Sequence, residues 1–70
     1  MQKKAKIKWT NKFSKETGYV KKLNRKKKYF ENTFEKSEAM QFIDTEENLK
    51  KAINLLNTYC PDNIYEVVKE

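Results

Sequence analysis

Residues 4–13, "KAKIKWTNKF", alternate with a period of two. Ala5, Ile7, Trp9, Asn11 and Phe13 fall on one side; Lys4, Lys6, Lys8, Thr10 and Lys12 fall on the other. Successive side chains of a strand point to opposite faces, so the pattern predicts a strand with one buried and one wet face. Wound as a helix, the same residues would scatter the lysines around the cylinder. A sheet therefore underlies the fold, and the rest of the chain is read by what it adds to that first strand.

Downstream, "SKETG" (14–18) holds Gly18, the sole glycine, which predicts a positive φ at a turn or bulge. A second strand is expected over residues 19–23. Tyr19 and Leu23 share a side with Lys21, while Val20 shares one with Lys22, so both face assignments stay open and Tyr19 with Leu23 inward is favoured. "NRKK" (24–27) reads as a second tight connection, with Asn24 tolerant of a turn conformation. A third strand, residues 28–35, puts Phe30 and Phe34 on the core side. Residues 39–43 form a weaker extended stretch with Met40 and Phe42 on one face, and a short helical segment in "KSEAMQF" is the alternative.

A helix follows. Asp44 is the expected N-cap, and Glu47 stands three residues later at capping-box spacing. Glu46 and Glu47 suit the positive end of the helix dipole, and Glu46–Lys50 and Glu47–Lys51 are i,i+4 pairs in the favourable orientation. Leu49, Ala52, Ile53, Leu56 and Tyr59 or Cys60 make one apolar stripe, widened by Leu55. Pro61 ends the helix near Tyr59, and residues 64–69 read as a last strand.

The predicted fold class is α+β: one domain over residues 1–70, a small antiparallel sheet of three to five strands, and one helix packed on one face, in the order β-β-β-(β)-α-β. One helix covers one face only, so the other must meet water or a partner.

Composition excludes most chemistry. There is no histidine, hence no Ser-His or Cys-His nucleophile pair and no common general base. One cysteine without histidine excludes the usual zinc sets, and one glycine excludes a phosphate-cradling loop. No catalytic residue, metal or cofactor is expected. Cys60, near the helix C-terminus where a thiolate is disfavoured, reads as a packing residue; Trp9 reads as core. A lone cysteine, the absence of a signal-peptide pattern and the absence of a long apolar run suggest a cytoplasmic protein with no membrane association.

Charge is the most informative feature. Residues 1–34 carry a net +10 and residues 35–70 a net −4, within a total of +6. Cations accumulate on one sheet face and one turn: Lys4, Lys6, Lys8, Lys12, Lys22, then the run Arg25, Lys26, Lys27, Lys28. Tyr29 follows, placed to stack on a base. Lysines also solubilise an exposed sheet face without binding anything. Clustering favours a polyanion, because each neutralised phosphate releases counterions and the gains add across one surface. The scarcity of arginine argues for weak sequence selectivity.

The segments "KWTNKFSKETGYVKKL", "KKYFENTF", "EAMQF" and "EENLKKAINLL" give most of the chain a resemblance to small, uncharacterised proteins encoded by phages and mobile elements of low-GC Gram-positive bacteria. That resemblance implies action on a host protein or nucleoprotein complex, as by a small defence-system inhibitor. Two functions are therefore expected. One is a non-catalytic binding of nucleic-acid phosphates (DNA or RNA); the alternative is an interaction protein whose basic surface or strand edge takes an acidic protein partner.

Overall fold

The computed structural model describes residues 3–69: β1 (Lys4–Asn11), β2 (Thr17–Asn24), β3 (Tyr29–Thr33), a 3-10 turn at Lys36–Glu38, β4 (Phe42–Ile43), α1 (Glu46–Tyr59) and β5 (Asn63–Lys69). The strands form one antiparallel five-stranded sheet, bent into a half-barrel, with one helix. The fold is α+β in the expected order.

β1 is the axis of the sheet. β5 pairs along it from Ala5–Lys69 to Asn11–Asn63. On its other side the neighbours change: β2 pairs at Lys8–Thr10 and β4 at Lys4 and Ala5. Beyond Tyr19, β2 leaves β1 and pairs with β3 instead. The 36–40 segment closes the resulting split, with Met40 N–H donating to the Val20 carbonyl at 2.9 Å. Residues 36–43 thus combine both sequence alternatives, a helical turn followed by a two-residue strand. Phe42 is buried, whereas Met40, expected beside it, is exposed.

The core holds Ala5, Ile7, Trp9, Val20, Phe42, Leu49, Ala52 and Leu56, with Leu23, Phe30, Ile53, Tyr65 and Val67 packed around it. The inward side of β1 is the one the alternation predicts as far as Trp9. Phe13 is not part of it: β1 ends at Asn11, whose side-chain oxygen accepts the Phe13 and Ser14 amides at 2.9 Å and turns the chain, leaving Phe13 78% exposed. Phe34 also differs from expectation. β3 stops at Thr33, and although the Phe34 ring lies 6.0 Å from that of Trp9, it is 65% exposed.

The face of β2 is decided by a bulge. The register jumps from Val20–Asn32 to Lys22–Glu31, leaving Lys21 as the extra residue. A bulge shifts the alternation by one, so Val20 and Leu23 both point inward although they lie three apart. Tyr19 faces outward beside Lys8, contrary to its expected place in the core.

Gly18 lies inside β2 with no positive φ; the left-handed conformations belong to Lys15 (φ 65°) and Lys28 (φ 58°). Gly18 stands directly opposite Trp9, and a Cβ there would lie 2.7 Å from Trp9 Cζ2. The glycine makes room for the indole. The helix N-cap is Thr45, not Asp44: Thr45 Oγ1 accepts the Asn48 amide at 3.2 Å. Asp44 accepts Lys69 Nζ at 2.6 Å instead. Of the expected i,i+4 pairs, Glu47–Lys51 closes to 3.5 Å with both ends exposed, so it adds little stability.

Candidate nucleic-acid interface

The register redistributes the expected basic face. Lys4 and Lys8 point away from the core, but Lys8 is directly opposite Glu66 on β5, and Lys22 is opposite Glu31 on β3. Opposite charges at cross-strand positions attract, and each acid dilutes the field of its lysine. Lys6 leaves the surface altogether. It is 8% exposed, and its ammonium donates to the Lys36 carbonyl at 2.8 Å, under the segment that closes the β1–β2 split. Lys12 lies past the end of β1, where its carbonyl accepts Lys15 Nζ at 2.9 Å. The continuous lysine face expected of β1 is thus corrected to separate cations among acids.

The hairpin turn behaves as expected. Residues 25–28 join β2 to β3, and all four cations are exposed. Asn24 Oδ1 accepts the Lys27 amide at 2.9 Å, an Asx-type closure, and Lys28 takes the left-handed conformation that returns the chain to β3. The loop is therefore fixed by local hydrogen bonding rather than by burial. Tyr29, which follows it, is 42% exposed. Two more cations add to this end. Lys21 is exposed at the bulge, and Lys51 shares with Arg25, Leu55 and Thr58 a shallow groove where the hairpin meets the helix. Neither was legible in the sequence, because a bulge has no residue signature in "YVKKL" and Lys51 already had a partner in Glu47. No family model, curated protein or solved structure matches the chain.

A second feature lies at the helix C-terminus, a cleft of about 370 Å³. The aromatic residues Trp9, Tyr29, Phe30 and Tyr59 and the polar residues Ser14, Glu16 and Asn32 line it. Its far wall is a closed hydrogen-bond set. Asn11 Nδ2 donates to Asn63 Oδ1 at 3.2 Å, and Asn63 Nδ2 donates to Cys60 Sγ and Tyr65 Oη, each at 3.4 Å. The Tyr65 hydroxyl reaches the carbonyls of Cys60 (2.8 Å) and Leu56 (3.2 Å), satisfying the end of the helix.

Burial pushes the Tyr65 phenol from 10.0 up to about 12; Cys60 adds to the shift and the Asn63 hydrogen bond opposes it. The folded state thus holds this proton more tightly than the unfolded chain. The stabilisation is complete below 10.0 and is lost as the pH rises towards about 12. Unfolding free energy should fall across that window, and Tyr65→Phe should flatten the fall. Equal falls of unfolding free energy between pH 10.0 and about 12 in both proteins, measured by denaturant titration at each pH, would contradict the linkage.

Among the described residues, no group of three His, Cys, Asp or Glu side chains could hold a metal ion. Among the same residues, no helix is long and apolar enough to cross a membrane.

Proposed function

We propose that this chain is a small, non-catalytic, cytoplasmic binding protein that holds nucleic-acid phosphates on the β2–β3 hairpin. The observation that carries this reading is the loop 25–28: four consecutive exposed cations on a turn closed by Asn24 and Lys28. A turn of fixed shape loses little conformational entropy on meeting an anion, and clustered charges release counterions together. Lys21 adds an exposed cation on the same hairpin, while Tyr29 offers an accessible ring. Lysine-dominated contacts to phosphate carry no base information, so the hairpin by itself selects little for sequence.

Replacing Lys26 and Lys27 together by Glu should leave the melting temperature nearly unchanged, since both are exposed and outside the core. Affinity for single- and double-stranded DNA and RNA should fall, and the salt slope should flatten by about one unit for each phosphate that the variant no longer neutralises. A double variant that binds every nucleic acid as well as the parent would remove the hairpin from the interface.

A second reading rests on a different observation. Among the described residues β5, seven residues long, pairs with β1 alone, and its outward Ile64 is 52% exposed. An unpaired edge of that length is a template for a strand from a protein partner. This is the geometry an inhibitor of a host protein would use, and failure of nucleic-acid binding would move the function to that edge.

A further inference from the structure

The cleft at the helix C-terminus is unlike the hairpin in its chemistry. Of its polar groups, Asn11 and Asn63 are already bonded to each other and to their surroundings. The Ser14 hydroxyl accepts the Glu16 amide at 3.3 Å, which leaves the side chains of Asn32 and Glu16, both exposed, to meet a ligand. Glu16 supplies a carboxylate, and the negative end of the α1 dipole lies on the same wall at Tyr59 and Cys60. Such a cleft repels phosphate and calls for hydrogen-bond donors. Much of the remaining lining is aromatic: Tyr29, Phe30 and Tyr59, with Trp9 buried beneath them. A flat, uncharged, donor-bearing ring fits this combination. The cleft volume is at the small end of ligand sites, suited to one such ring.

We propose that this cleft takes one unpaired base of a single strand, with guanine preferred, while the phosphates beside it lie on the 25–28 turn. The inference rests on the phosphate-binding reading, and the two sites are joined covalently: Tyr29 lines the cleft and directly follows Lys28. Guanine presents two parallel donors, N1–H and the N2 amino group, to which a carboxylate accepts in the bidentate manner that makes such pairs strong. Thymine and uracil present one imide N–H between two carbonyl oxygens, which a carboxylate repels. Asn32 donates to the guanine O6. Duplex is disfavoured at this site, because a paired base cannot expose that edge.

The test compares an oligothymidine strand with the same strand carrying one central guanine. The guanine strand should bind about tenfold more tightly, the scale of one bidentate base contact. Glu16→Gln, at an exposed position, should keep the melting temperature and reduce that ratio to near unity. The Lys26→Glu, Lys27→Glu double variant should weaken both strands in parallel and preserve the ratio. Cys60, the only cysteine and part of the cleft wall, gives an independent readout. Its alkylation should slow with the guanine strand more than with oligothymidine at equal occupancy. Equal affinities for two strands that both bind, or a ratio unaffected by Glu16→Gln, would overturn the cleft while leaving the phosphate reading intact. Absence of binding to either strand at low salt would overturn both.

Discussion

Leu56→Ala should destabilise the protein by about 2–5 kcal/mol, the range for emptying a buried leucine site. Leu56 has no solvent exposure and belongs to the cluster that joins the helix to Ile7, Trp9 and Val20. Its surroundings cannot collapse easily into the space. Ile7 and Trp9 are held opposite Val67 and Tyr65 of β5, Trp9 also stands opposite Gly18 of β2, and the Leu56 carbonyl accepts from both the Cys60 amide and Tyr65. A domain this small sits near the low end of the usual range of about 5–15 kcal/mol, so the loss is a large share of the whole. Urea titration measures it. A change below about half a kcal/mol, the size of a surface effect, would mean that the apolar stripe of α1 is not the core.

Gly18→Ala is the second large effect, and its sign is diagnostic. At an unstrained site, replacing glycine by alanine stabilises by about 0.4–1 kcal/mol through the unfolded chain. Here the added methyl would meet Trp9 Cζ2 at 2.7 Å, Cε2 at 2.8 Å and the Thr33 carbonyl at 3.0 Å. The indole has little freedom to move: it is 5% exposed and its Nε1 donates to the Tyr19 carbonyl at 3.2 Å. Overpacking of this kind costs about 1–3 kcal/mol. A lowered melting temperature with altered Trp9 fluorescence is the expected result. A stabilised variant would place the indole elsewhere.

These two positions mark the limits of what the sequence reveals. The stripe Leu49, Ala52, Leu56 and the alternation Ala5, Ile7, Trp9 are periodic, and periodicity is the signal that burial imposes on a chain. Both were legible. The role of Gly18 was not, because a missing Cβ signals equally a positive φ or a close approach, and only the cross-strand partner decides between them. Val20 escaped for a related reason: a bulge at Lys21 breaks the period, so Val20 joins Leu23, which was expected inward, on the core face. Asp44 and Thr45 are both competent caps at adjacent positions, and the choice fell to Thr45 because Lys69 engages the Asp44 carboxylate.

The site divides in the same way. The loop 25–28 was legible because an unbroken run of cations between two strands has nowhere to go but the surface. The surroundings of the β1 lysines were not, because their neighbours come from the distant part of the chain. Glu66 arrives opposite Lys8 through β5, and the Lys36 carbonyl arrives over Lys6 through the segment that fills the split. Charge counted along a sequence omits such long-range partners. The cleft is likewise assembled from three separate stretches of chain, residues 9–16, 29–32 and 59–63, and no local motif announces it.

Phosphate binding by the β2–β3 hairpin, as proposed, is read from the salt dependence of binding. A single-stranded oligonucleotide titrated with the parent protein over a series of salt concentrations should give a linear fall of log K with log salt. Its slope should flatten by about one to two units in the Lys26→Glu, Lys27→Glu double variant. No binding by the parent at the lowest salt, or parallel slopes for parent and variant, would contradict it.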